Sequence, residues 1–135
     1  MAGTREIVQK YMDNMVAGAF GDAFAMFAPN ATYRVTGNSA ISGEMQGIDN
    51  INAGLGDIVV KYFKGLPKFT VHDIIVDGDR AAVTLTGTCE GVTGMYDQTY
   101  VFVFKVENSQ ITELVEYIDM LVVETALLGR KLVDA

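Results

Sequence analysis

Residues 110–120, QITELVEYIDM, follow the turn Glu107-Asn108-Ser109 and read as a strand that ends on a carboxylate among apolar neighbours. Side chains of a strand alternate between faces, so Ile111, Glu113, Val115, Tyr117 and Asp119 share one side; Thr112, Leu114, Glu116, Ile118 and Met120 share the other. The first set is expected to face inward, which aims Asp119 at the interior. A carboxylate on an apolar wall must be hydrogen-bonded, or desolvation lifts its pKa into the range useful for proton transfer.

The chain before this strand alternates in the same way. Lys68 to Val76, Arg80 to Glu90 and Met95 to Val106 are three strands joined by turns at Asp77-Gly78-Asp79 and at Gly91 to Gly94, an antiparallel meander. Their inward sets are Val83, Leu85, Gly87 and Cys89, then Tyr96, Gln98, Tyr100, Phe102 and Phe104. Nearer the amino terminus, Ile7, Val8, Tyr11, Met12, Met15 and Val16 recur at helical spacing, predicting a helix from Thr4, its N-cap, to Ala17. Gly18 and Gly21 break it, and a second helix over 22–27 stops at Pro29 and Asn30. Ala31 to Thr36 is a short strand with Tyr33 and Val35 on one face and Thr32 and Arg34 on the other; Gly37 to Gly47 is a loop. A third amphipathic helix carries Ile48, Ile51, Leu55, Ile58, Val59, Tyr62 and Phe63 and ends near Gly65. The apolar tail from Leu121 to Leu128 reads equally as a strand extension or a closing helix. This order gives an α+β fold, a curved antiparallel sheet wrapped around three N-terminal helices, with glycines in the long strands permitting the bend.

The length of 135 residues suits one domain, 1–135, and half of the residues are hydrophobic, enough for a proper core. A net charge of -7 without a basic cluster argues against nucleic acid as a partner. With no long apolar run and no signal-peptide core, neither membrane insertion nor secretion is expected, and the protein is read as cytoplasmic. The single cysteine, Cys89, fits a reducing compartment. No His, Cys or Asp cluster has metal-ligand spacing, so no metal and no cofactor are expected. His72 lacks partners for a triad and is assigned to a sheet face.

The first helix ending at Gly21-Asp22, Asn30-Ala31-Thr32 at the entry to the first strand, Ser42 to Gly47 leading into Ile48 and Ile51, Asp77-Gly78-Asp79-Arg80, and Glu116-Tyr117-Ile118-Asp119 occur in an order that resembles the nuclear transport factor 2-like, or ketosteroid-isomerase-like, cone fold, and within it the SnoaL-like group. The resemblance implies a cone with an internal pocket. Members include isomerases, polyketide cyclases, dehydratases and epoxide hydrolases, and others that only bind ligands or proteins, so the fold does not settle the function. Motif by motif, it implies that Tyr11 is an enolate-oxygen donor and that Asp119 is a proton shuttle like that of the cyclases, with Tyr33 as a further catalytic group. The isomerase base would fall at Val35 and its second acid near Phe102, so two of three isomerase groups are missing. The Arg and Asp of the epoxide hydrolases are likewise absent from the inward positions of the strand 80–90, which are Val83, Leu85, Gly87 and Cys89, leaving Arg34 as the nearest candidate, on the outward face.

The expected pocket combines Asp119, Tyr11 and Tyr33 as catalytic residues with Met15, Val35, Gln98, Tyr100, Phe102 and Tyr117 as ligand-binding residues. The leading expectation is a cofactor-free enzyme moving a proton on a small hydrophobic carbonyl compound, as isomerase, cyclase or dehydratase. The alternatives are a non-catalytic ligand-binding or dimerisation module and an epoxide hydrolase variant. Thr84, Thr86, Thr88 and Thr99 on the outer sheet face make a candidate homodimer surface, as the resemblance also implies.

Overall fold

A computed structural model describes residues 2–135. Helix α1 (Thr4–Val16) is capped by Gly3 without a side-chain bond, so Thr4 is its first helical residue, not the expected N-cap. Its carboxyl end is a Schellman turn: Gly18, at φ 76°, donates to Met15 O and Ala19 donates to Asn14 O. The chain leaves that turn directly into α2 (Phe20–Phe24), earlier and shorter than the expected 22–27.

Strand β1 (Phe27–Val35) starts four residues ahead of the expected Ala31. Phe27 pairs with Ile111, and the register then slips before Thr32, so Pro29 and Asn30 lie exposed in an irregular stretch that tolerates a missing N–H. The following loop contains a short edge strand, β2 (Gly43–Gln46), that pairs with β1. Helix α3 (Ile48–Tyr62) comes next, and Gly54 in its middle is a contact point: a Cβ there would stand 2.6 Å from the Met45 sulfur. Strands β3 (Lys68–Asp77), β4 (Arg80–Gly91), β5 (Gly94–Glu107) and β6 (Gln110–Ile118) form the expected meander. The β5–β6 turn places both Asn108 and Ser109 at positive φ, the twist a two-residue hairpin loop needs. The apolar tail is helical: α4 (Met120–Val122) continues into a π-helical turn over Val123–Leu127.

The six strands lie in the order β2-β1-β6-β5-β4-β3. Every neighbouring pair is antiparallel except β1 with β6, so the sheet is mixed where the meander alone implied an antiparallel one. The first long strand thus inserts beside the last. Helix α1 packs on β3, β4 and β5 and buries Val8, Tyr11 and Met12 completely, with the Tyr11 ring edge-on to Phe27 and Phe104. The inward sets expected for β4 and β5 are buried as read: Val83, Leu85 and Cys89 on one strand, Tyr96, Gln98, Tyr100, Phe102 and Phe104 on the other. Each such apolar side chain stabilises the fold by about 1.5–3 kcal/mol relative to exposure. His72 is the extra residue of a bulge in β3, exposed, with Nε2 3.1 Å from Thr86 Oγ1. Among the described residues no helix is long and apolar enough to cross a membrane.

Candidate functional site

One bulge decides which carboxylate reaches the interior. Along β5 and β6, Val106 pairs with Ile111 but Lys105 pairs with Glu113, so Thr112 is an extra residue that opposes nothing. Its hydroxyl donates to Lys105 O at 3.3 Å. Ile111 is inward as expected, but beyond the bulge the parity flips, because one added residue turns every later side chain to the other face. Phe104 now opposes Leu114, Phe102 opposes Glu116 and Tyr100 opposes Ile118. The acid carried inward is Glu116.

Glu116 lies on the wall of a cavity of about 330 Å³ between the concave sheet, α2, α3 and the loop before β2. Met15 of α1, Phe20 and Phe24 of α2, Leu55 and Val59 of α3 and Ile41 of the loop face Tyr33, Val35, Phe69, Tyr96, Tyr100 and Phe102 of the sheet. Exposed Val60 and Leu66 stand at its rim. Burial in this apolar wall pushes the Glu116 carboxyl from the ordinary 4.5 up to about 7, and a hydrogen bond from the Tyr33 hydroxyl to Oε1, at 2.5 Å, partly opposes the rise. Burial, reinforced by the Glu116 charge, raises the Tyr33 and Tyr100 hydroxyls well above their usual value. These phenols are therefore neutral donors around a carboxyl poised near neutrality. A group with a pKa near ambient pH both takes and returns a proton.

The expected site residues divide. Tyr33, Met15, Val35, Tyr100 and Phe102 all line the cavity with Glu116. Tyr11 is fully buried one layer behind, edge-on to Phe27 and Phe104, and its hydroxyl has no hydrogen-bond partner. Burial first and the Glu116 charge second raise its pKa. Asp119 is not in the cavity. It is exposed and serves as the N-cap of α4, accepting from Leu121 N at 3.0 Å. Tyr117, on the same flipped parity, is 46% exposed. Gln98 is buried but occupied: Nε2 donates to the Tyr96 hydroxyl and to Asp119 O, while Oε1 accepts from Asp119 N and Thr99 N, each at 2.8–3.0 Å. It clamps the end of β6 to β5 and does not reach a ligand. Arg34 is exposed, so no guanidinium stands beside the cavity acid.

Sequence reading missed Glu116 because the bulge is invisible in an unbroken alternating pattern. The available signal was that Leu114 and Ile118, flanking it at two-residue spacing, are the more apolar set of the strand. Among the described residues no group of three or more His, Cys, Asp or Glu is gathered to hold a metal ion.

Comparison with curated proteins finds no match. Among solved structures, an NTF2-like protein of unknown function from Burkholderia pseudomallei K96243 superposes with TM-score 0.82 at 17% identity, covering 94% of this chain and 98% of that one. A candidate SnoaL-like polyketide cyclase from Jannaschia sp. CCS1 gives 0.75 at 20% identity, with 95% and 93% covered. A candidate ketosteroid isomerase from Kribbella flavida DSM 17836 gives 0.67 at 20% identity, with 86% and 77% covered. At these identities the likeness is one of fold. The family model described as the SnoaL-like domain matches residues 8–114, which includes Tyr11 and Tyr33 and stops just before Glu116. With that match spanning most of its length and the cone architecture around it, the chain belongs to the SnoaL-like domain family.

Proposed function

We propose that this protein is a cofactor-free acid–base enzyme acting on a small hydrophobic carbonyl compound, with Glu116 as the proton-transfer group. The observation that carries the reading is a single carboxyl held near neutral pKa, hydrogen-bonded to Tyr33, on the wall of an otherwise apolar cavity. The ionised carboxylate takes a proton from the carbon next to the carbonyl, the C–H electron pair moves into the enolate, and the neutral acid returns the proton to the same or another carbon. Tyr33 orients the carboxyl, and the Tyr100 hydroxyl donates to the enolate oxygen. Isomerisation, aldol cyclisation and dehydration all share this step.

The test is α-proton exchange in D2O across a panel of small apolar ketones, followed by NMR. Wild-type protein is expected to catalyse exchange on at least one member and Glu116→Gln to lower that rate by roughly 100-fold. Exchange that Glu116→Gln leaves unchanged rejects the assignment. The almost wholly apolar wall favours a second reading, a ligand-binding module without turnover, and binding without exchange by the wild-type protein selects it. In either case we propose that the Thr-rich outer face of β4 and β5 is the homodimer surface, to be checked by sedimentation over a range of concentrations.

A further inference from the structure

Glu116 is the only formally charged side chain on the cavity wall; among the described residues no Lys, Arg or His lines it. Aromatic rings surround the acid. Phe102 is its direct cross-strand neighbour, Tyr33 bonds to it, and Tyr100, Tyr96 and Phe69 continue the wall, with Tyr100 and Phe102 edge to face at 5.6 Å. Aromatic faces attract organic cations through the ring quadrupole, and an ionised acid at the base of such a wall completes the recognition. The chain as a whole carries a charge of -7, so its field draws cations towards it and repels anions.

From this arrangement we infer that the cavity is a binding site for apolar organic ammonium ions, which pair with Glu116 against the aromatic wall, and that it excludes apolar carboxylates. The ligand class follows from two features that coincide: an acid without a protein cation on the wall to neutralise it, and aromatic rings on the same wall around it. An ammonium ligand satisfies both, whereas a carboxylate meets a like charge and no donor cation. The inference shares with the proposed function the premise that this cavity is the ligand site, but it does not depend on proton transfer.

The groups facing Glu116 are Tyr11 from α1, Tyr33 from β1 and Tyr96 and Tyr100 from β5, with Cys89 of β4 beyond them. Burial raises all of them, so Glu116 alone changes charge near neutrality. Cation binding therefore strengthens as the pH rises through about 7. The probes are benzyltrimethylammonium, whose charge is permanent, its carbon isostere neopentylbenzene, and phenylacetate, each titrated into the full chain by ligand-observed NMR. Between about pH 5.5 and about pH 8.5 the ammonium ion should bind roughly 10-fold more tightly, the neutral isostere should gain nothing, and phenylacetate should not bind at about pH 8.5, where Glu116 is ionised. Glu116→Gln should abolish the pH dependence and the preference for the cation while keeping the isostere. The wild-type pH series stands without the variant should Glu116→Gln fail to fold. Equal binding of cation and isostere at about pH 8.5, a flat wild-type profile, or binding of phenylacetate at about pH 8.5 overturns the inference. Cation binding without ketone exchange would defeat only the proposed reaction, and exchange without cation binding only this inference.

Discussion

The Tyr33 hydroxyl donates to the Glu116 carboxyl at 2.5 Å from a position 83 residues earlier in the chain, across the parallel pairing of β1 and β6. The phenol stays protonated while the acid titrates, so the bond is charge-assisted whenever Glu116 is ionised and favours that form.

Folding stability should report the half-buried cavity acid directly. Glu116 has a folded-state pKa near 7 against an ordinary 4.5, so between these values the folded protein holds a proton that the unfolded chain has lost. Its contribution is full below the lower value and is lost as pH rises through the upper one, a change of about 3 kcal/mol. Urea denaturation of wild type and Glu116→Gln should therefore show the variant gaining on wild type from about pH 5 to about pH 8 by that order. A constant difference across the range would show that Glu116 is solvated.

Removing the Tyr33 donor should move the acid further in the same direction. In Tyr33→Phe the hydrogen bond that opposes the rise is gone, so the carboxyl titrates higher than about 7. Carbon-13 NMR of labelled glutamate would follow it. Exchange at neutral pH should fall roughly 10-fold and recover in part at higher pH, whereas a downward shift of the titration would contradict the geometry.

Asp119 should matter to stability alone. Asp119→Ala removes an N-cap and is expected to cost about 1 kcal/mol with no effect on exchange. Gln98→Leu should cost more, about 2–4 kcal/mol, because it strips partners from the buried Tyr96 hydroxyl and from the Asp119 backbone N–H and carbonyl at the end of β6. Thermal denaturation with parallel rate measurements separates the two effects, and a rate loss in Asp119→Ala would restore it to the site.

Tyr11→Phe removes a buried hydroxyl that bonds to nothing while leaving the ring between Phe27 and Phe104 in place. The variant should be at least as stable as wild type, by up to about 1 kcal/mol. A marked loss in chemical denaturation would reveal a bound partner for that hydroxyl.

The elements were legible because their periods are strong. The two-residue alternation of β4 and β5 assigns burial correctly, and so does the helical spacing of Ile7, Val8, Tyr11, Met12 and Met15; Val16, expected on the same face, is exposed at the last turn of α1. Three features escaped because they depend on pairing between distant segments. The parallel insertion of β1 beside β6 leaves no local signal, and β2 exists only because β1 offers it an edge. The third is the extra residue at Thr112, which shifted the interior acid from Asp119 to Glu116. The same slip put Tyr117 outside, while Tyr33, Val35, Tyr100 and Phe102, on strands read in the right phase, all reached the cavity wall.

Because β1 pairs with β6, the cavity wall is completed only once the sixth strand has emerged. A nascent polypeptide that has emerged only as far as β5 already owns most of the cavity's aromatic lining and its phenols, yet holds no acid and offers one flank of β1 unpaired. Arrival of β6 seals that flank and brings the cavity its one carboxylate in a single docking event, so pocket closure and the placement of charge inside it are one and the same step.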